Sequence, residues 1–144
     1  MKKLENKVSI VTGAGAGMGK AIAILFASEG SKVVATDIYP ARLDLLKKEI
    51  IDSGGEVTTL VADMAKEDEI EKMINVAVEK YGTLDILVNN AGIMDNFQPV
   101  AEVDNQMWEK VMKVNLEGPF KAMRSAIKIF LAKGSGNIIN IASL

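Results

Sequence analysis

Residues 12–19 read TGAGAGMG, with glycine at positions 13, 15, 17 and 19. So much bare backbone in so short a stretch needs a reason, and its spacing narrows the choice. The pattern GxGxxG fails: counted from Gly13 its last glycine falls on Met18, and counted from Gly15 it falls on Lys20. GxxxGxG fits, with Gly13, Gly17 and Gly19 in register and Gly15 as an extra. The loop lies between KVSIVT (Lys7–Thr12), a β-branched apolar run, and a helical pattern over Lys20–Glu29. That is the context a phosphate-binding turn requires. Glycine lets the chain turn sharply and lets a pyrophosphate approach the backbone. The helix beginning near Met18 then aims unpaired N–H groups and its positive dipole end at the phosphates. Taken alone, the loop also reads as a plain glycine turn. A nucleoside-triphosphatase loop is excluded, because Gly19-Lys20 is followed by Ala21 and not by serine or threonine.

Outward from the loop, strand and helix alternate. Runs rich in β-formers occupy Lys7–Thr12, Lys32–Asp37, Glu56–Val61, Leu84–Val88 and Asn137–Ile141. Helical patterns occupy Lys20–Glu29, Pro40–Ser53, Lys66–Tyr81 and Glu102–Lys133. All the strands except Glu56–Val61 are nearly continuous in Val and Ile, as strands covered on both faces are in a parallel sheet. Ser53-Gly54-Gly55 and Tyr81-Gly82 end two helices where glycine is expected. Ile70, Met73, Ile74, Ala77 and Val78 form the packing stripe of the third helix. The predicted fold is α/β, a doubly wound parallel sheet built from βαβ units.

The chain has 144 residues, enough for one domain over 1–144 with a sizeable core. Its apolar share of 49% and net charge of −2 favour neither nucleic acid nor an anionic membrane as partner. No apolar run is long enough to span a bilayer, and MKKLENKVSIVTG reads as a first strand, not a signal peptide. Cysteine and histidine are both absent, which excludes disulfides, thiolate chemistry, histidine bases and the usual zinc sites. No metal is expected, and a cytoplasmic location fits the missing cysteine. Chemistry must come from hydroxyls, amines, carboxylates, amides or a bound cofactor.

Asp37 ends the second strand, 37 − 19 = 18 residues after Gly19. A carboxylate there accepts hydrogen bonds from adenosine ribose hydroxyls and repels a 2′-phosphate. No arginine or lysine lies in Ala14–Ala16 or directly after Asp37, so NAD is favoured over NADP. The competing reading of Asp37 is a turn aspartate ahead of Tyr39-Pro40.

Three further stretches complete a pattern: Asp63 in VADM, Asn89-Asn90-Ala91-Gly92 in LVNNAG, and Asn115 in VMKVNLEGPF. With TGxxxGxG and Asn137–Ser143 (NIINIAS), they resemble the short-chain dehydrogenase/reductase family in order and spacing, from about Lys3 to Leu144. The resemblance implies a Rossmann-like sheet and an NAD-dependent oxidoreductase acting on small-molecule alcohols or ketones. It assigns Gly13, Gly17, Met18 and Gly19 to the cofactor phosphates, Asp37 to the adenosine ribose and Asp63 to adenine. Asn90, Ala91 and Gly92 line the cofactor cleft, while Asn89 braces the sheet. Asn115 becomes the catalytic asparagine and Ser143 the serine that hydrogen-bonds the substrate oxygen. Asn115 also has a physical argument of its own. Pro119, four residues on, has no N–H for its carbonyl, so a kinked helix or a break into Glu102–Val114 and Leu116–Lys133 is expected. A carbonyl freed there can hold a water, which family members use at the matching asparagine for proton relay.

The chain departs from the family in one respect. The tyrosine and lysine of YxxxK, which follow the serine in that family, are missing: one residue follows Ser143, and neither Tyr39 nor Tyr81 has a lysine four places later. Hydride can come from a cofactor, but the substrate oxygen must still gain or lose a proton. The chain therefore reads as the N-terminal part of a longer protein or a truncated gene product, with its fifth strand left as a sheet edge. A non-catalytic dinucleotide-binding module is the alternative. The apolar residues of Glu102–Lys133 (Met107, Val111, Val114, Phe120, Met123, Ile127, Phe130) suggest a homo-oligomer, since relatives pack the matching helix against its copy.

Overall fold

The computed structural model describes residues 1–142. Strands β1 (Val8–Thr12), β2 (Lys32–Asp37), β3 (Glu56–Val61), β4 (Ile86–Asn89) and β5 (Asn137–Asn140) form one sheet in the order β3-β2-β1-β4-β5. Every pairing is parallel. Helices α1 (Gly17–Ser28) and α2 (Pro40–Asp52) connect the strands on one side of β1. Helix α3 (Glu67–Tyr81) then carries the chain to β4 on the other side, and α4 (Asn105–Met112) and α5 (Gly118–Lys133) lead to β5. The strand order reverses between β1 and β4, and there the carboxyl ends of the strands open a crevice.

Both faces of the sheet are covered, because alternate residues of a strand point to opposite sides. Ile10, Val34 and Leu87 pack with Ile70, Met73, Ala122 and Phe130 of α3 and α5. Their neighbours Val11, Val33 and Val88 pack with Ala23, Leu46 and Ile50 of α1 and α2. This is why the central strands read as continuous apolar runs. β5 is different: Ile138 alone of its residues is partly shielded, and Ile139 is 41% exposed. Its Ile-rich appearance predicted cover on both faces, which these exposures do not show; its place at the edge of the sheet agrees with the sequence. Val78 is likewise exposed; the stripe of α3 uses Ile70, Met73, Ile74 and Ala77 and is extended by Val76.

The boundaries shift for local reasons. α1 starts at Gly17, inside the glycine loop. β4 starts at Ile86 because Asp85, placed in the strand by sequence, turns its carboxylate onto the Val8 N–H at 2.9 Å. The segment Glu102–Lys133 is not one helix. A single turn covers Val100–Glu102, and α4 begins after Asp104, whose side chain caps it by accepting from Met107 N at 2.7 Å. Between α4 and α5 lies a π turn, Lys113–Glu117, in which Gly118 N donates to Lys113 O. Pro119 cannot donate and its ring crowds the Asn115 carbonyl. The extra residue of a π turn absorbs that conflict, so the chain neither breaks nor runs on as regular α-helix.

Candidate active site

The site grows from the junction of β1 and β4. Thr12 Oγ1 accepts the N–H groups of Asn90 and Ala91, both at 3.0 Å, and donates to Val88 O at 3.4 Å. One donor and two acceptors are thereby used, the whole capacity of a hydroxyl. Asn90 returns the contact, donating Nδ2 to Thr12 O at 3.0 Å and to Gly13 O at 3.2 Å. The carboxyl ends of two strands are thus locked together under the glycine loop.

The four glycines of that loop differ in their surroundings. A Cβ on Gly13 would meet Ala91 Cα at 2.9 Å, and one on Gly19 would overlap the Gly13 carbonyl oxygen. On Gly15 it would meet Asp37 Oδ2 at 2.7 Å and the Cβ of Arg42 at 2.9 Å. Gly17, which like Gly13 has a positive φ (54° and 63°), is the exception in having nothing within 4 Å of a Cβ position. Three glycines let the protein pack against its own loop, and one leaves bare backbone facing outward at the start of α1. The N-cap of α1 is Ala16, which has no side-chain oxygen for the first helical N–H groups. A helix start of this kind suits an anion, so the loop fits a dinucleotide pyrophosphate.

A cleft of about 430 Å³ runs from this loop across the strand ends. Gly13, Asp37, Asp63, Asn90, Ala91 and Gly92 line it, as do Arg42 and Lys110. Gly17, Met18 and Gly19 stand beside it at the head of α1, with Met18 63% exposed. Asp37 is buried and accepts from Gly15 N at 2.8 Å and Tyr39 N at 3.1 Å. Among the described residues no cation lies within ion-pair distance of it. Asp63 closes its own turn by accepting from Ala65 N at 2.9 Å, while its N–H donates to Glu69 Oε2 at 2.7 Å. The Lys66 ammonium and that N–H hold Glu69 below the ordinary carboxylate range against the opposing effect of desolvation.

Asn115 does not line the cleft and is exposed. Its Oδ1 accepts from Ile93 N at 2.9 Å and its Nδ2 donates to Ile93 O at 2.8 Å. The carboxamide is therefore occupied in clasping the chain just after Gly92 to the π turn. Asn89 sends Nδ2 to Asn140 Oδ1 at 2.9 Å, bridging β4 to β5 away from the cleft. Ser143 lies outside the described residues. Sequence reasoning missed Thr12 as the tie between strands, and it missed Arg42. The signal for Arg42 was Pro40, which starts α2 at once and returns the first helical turn toward the loop.

A doubly wound sheet whose reversal point carries a glycine loop, an acid at the end of β2 and a cleft across the strand ends is the architecture of a dinucleotide-binding protein. The model of the short chain dehydrogenase family matches residues 7–144, and the chain belongs to that family. It is 39% identical over 142 residues to 3beta-hydroxysteroid dehydrogenase 2 of Eggerthella lenta, covering 98% of this chain and 55% of that protein. It is 38% identical over 142 residues to the 3-oxoacyl-(acyl-carrier-protein) reductase FabG of Thermotoga maritima, covering 99% and 57%. Among solved structures, a metagenomic short-chain oxidoreductase in complex with NADP is 34% identical and superposes with a TM-score of 0.94, covering 98% of this chain and 64% of that one. The chain thus spans about half the length of the curated relatives it matches. Among the described residues no helix is long and apolar enough to cross a membrane, and no group of acidic side chains could hold a metal ion.

Proposed function

We propose that the chain is the cofactor-binding portion of an NAD(H)-dependent oxidoreductase that moves hydride between nicotinamide and a small alcohol or ketone. The observation that carries the reading is open backbone at Gly17, at the head of α1, together with the Asp37 carboxylate that lines the cleft. In this reading Gly13, Gly17, Met18 and Gly19 hold the pyrophosphate, with N–H groups at the head of α1 as donors. Asp37 accepts from the adenosine ribose hydroxyls using lone pairs that Gly15 N and Tyr39 N leave over. Asp63 meets the adenine, and Asn90, Ala91 and Gly92 form the wall toward the nicotinamide.

The bound nicotinamide supplies the hydride chemistry. What these residues contribute is position. Asn115 acts as a positioning residue, fixing Ile93 and so the wall after Gly92. Ser143 orients the substrate oxygen but has no partner in this sequence suited to moving its proton, since YxxxK is missing. General acid–base catalysis typically contributes ~10²–10⁴-fold, so the 144-residue chain alone binds cofactor and turns over poorly.

A homo-oligomer is proposed on the outward apolar residues of the α4–α5 segment. Trp108, Leu116, Phe120 and Leu131 are each more than half exposed. Light scattering across micromolar concentrations checks this, and a monomer throughout counts against it.

The test of function is a cofactor titration followed by NADH absorbance with a panel of ketones, run on this chain and on a form extended through YxxxK. Tighter NADH than NADPH binding, with turnover confined to the extended form, supports the proposal. Tighter NADPH binding sinks the cofactor assignment, and equal turnover by the two forms sinks the account of the proton.

A further inference from the structure

We propose that the pocket between the segment Asp95–Val103 and α4 is a second ligand site, separate from the dinucleotide cleft, for a protonated amine carrying an apolar ring. The inference does not rest on the nucleotide reading, and its ligand has the opposite charge.

The pocket has a volume of about 460 Å³, within the range of small-molecule sites. Its apolar walls come mainly from Val103 and from Met107, Trp108 and Val111 of α4. On a helical wheel these three α4 residues fill the sector next to Lys110 and Val114, which line the dinucleotide cleft. The preceding segment divides in the same way: Ile93 lines the cleft, and Asp95, two residues on, lines the pocket. One partition therefore separates two cavities.

Charge decides what the second one takes. Asp95 is the one charged side chain that lines it, and among the described residues no lysine or arginine lies within ion-pair distance of that carboxylate. Its Oδ1 accepts from Phe97 N at 3.0 Å, across a turn in which Asn96 and Phe97 both have φ near 60°. From Asp95 to Trp108 the chain carries three acids (Asp95, Glu102 and Asp104) and no lysine or arginine. Gln98 and Asn105 add carboxamide oxygens at the rim, able to accept N–H donors from an ammonium. Trp108 presents the aromatic face that attracts a cation best. An apolar wall, an indole and a half-buried acid together match an alkylammonium; an anion or a neutral ring satisfies only part of the set. Solvent weakens the pairing, since Trp108 is 60% exposed and open ion pairs contribute little alone. Selectivity for charge, with modest affinity, is the expected signature.

Trp108 is the single tryptophan of the chain, so its emission reports this pocket directly. The purified protein is titrated at neutral pH with cyclohexylmethylamine, cyclohexylmethanol and cyclohexanecarboxylate, three probes of one shape with positive, zero and negative charge. Light scattering is recorded on the same samples, because Trp108 also belongs to the surface on which a homo-oligomer is proposed. The amine should shift the emission saturably with a Kd of about 1 mM or tighter, and the alcohol should bind about ten-fold more weakly. The carboxylate should give no saturable shift. Asp95→Asn keeps an oxygen for Phe97 N, so it should bring the amine down to the affinity of the alcohol and leave the alcohol unchanged. Trp108→Phe, read by saturation-transfer NMR on the ring protons of the amine, should weaken it several-fold. NADH should leave the amine titration unmoved. Equal binding of the three probes, or an amine affinity untouched by Asp95→Asn, would overturn the proposal. If Asp95→Asn lowers the urea midpoint, the Trp108→Phe arm decides, and unaltered amine binding there overturns it. Displacement of the amine by NADH would assign it to the cleft and overturn the second site. Emission that follows protein concentration and ignores the amine would show that a second copy covers the pocket, which overturns it as well.

Discussion

Asp85 enters β4 at the amino end of the sheet, and Asp37 leaves β2 at the carboxyl end. Both are shielded, and both accept a backbone N–H: Asp85 from Val8 at 2.9 Å, Asp37 from Gly15 at 2.8 Å. Their charges are handled in opposite ways. Asp85 meets two lysines, pairing directly with Lys133 of α5 and lying 3.9 Å from Lys7. Lys133 also donates to Leu84 O at 3.0 Å, so the amino end of β4 is stapled to the end of α5. Asp37 has no such partner among the described residues. One end of the sheet pairs its shielded charge with lysines, and the other holds it with the backbone N–H groups of Gly15 and Tyr39. The glycines repeat the contrast on a smaller scale, three packed inward and Gly17 opening outward. Under the proposed function, substitutions at Asp85 should affect the fold alone and substitutions in the glycine loop should affect nucleotide binding as well.

The largest effect is expected at Gly19. Alanine is the better helix former by about 1 kcal/mol. Here its methyl would overlap the Gly13 carbonyl oxygen and press on Asn90 Nδ2, both fixed by the tie between β1 and β4. Overpacking against backbone costs about 3 kcal/mol and outweighs the propensity gain. Gly19→Ala should lower the urea midpoint sharply and lose nucleotide binding with it. An unchanged midpoint would mean that the loop is free to shift.

Asp85→Asn should cost less, about 1–3 kcal/mol, because the amide still accepts from Val8 N while the two lysines lose their counter-charge. It should leave nucleotide affinity alone. Burial opposes ionisation of Asp85, but the Lys133 hydrogen bond, the Val8 N–H and the charges of Lys133 and Lys7 outweigh it and hold its pKa below the ordinary value. A carboxyl with a depressed folded pKa stabilises above its unfolded pKa and ceases to do so as pH falls through the folded one. The gap between the parent and Asp85→Asn should therefore be full at neutral pH, begin to close near about pH 4 and vanish below the folded value. Urea melts at several pH values read this directly. A gap independent of pH would assign the effect to packing rather than charge.

Much of this contrast was legible before any coordinates. The period and Val/Ile content of the strands gave β1, β2 and β4, since a strand covered on both sides has to be apolar throughout. The same rule overstated the cover of β5, whose Ile139 is 41% exposed, although its place at the sheet edge was expected. Pro119 announced an irregularity at Asn115, but a missing N–H does not say whether the chain breaks, kinks or adds a residue. Nor does it foretell that Gly118, just after the π turn, lies against Met64, a contact from far off in sequence. Asp37 was legible from its distance to the loop. Arg42 was not, because it is the turn into α2 that brings a residue five places later back to the cleft.

The smallest change in stability, with the sharpest consequence for binding, is expected at Gly17. Its φ of 54° is unfavourable for a residue with a side chain, and alanine there should cost about 1 kcal/mol of backbone strain. No steric cost is added, because nothing lies within 4 Å of the new methyl. The melting temperature should thus fall by only a few degrees, roughly what about 1 kcal/mol produces in a domain of this size. Yet that methyl would occupy the open side of the backbone at the head of α1, the direction from which a pyrophosphate has to come to reach the N–H groups. Binding of both NADH and NADPH should weaken together by about ten-fold or more, as expected when a charged group loses close contact with its donors. This separates Gly17→Ala from Gly19→Ala, where binding is lost because the loop is lost. If Gly17→Ala melted a few degrees early and bound NADH as tightly as the parent, the open backbone would be no phosphate site. The division between inward and outward glycines would then describe packing alone.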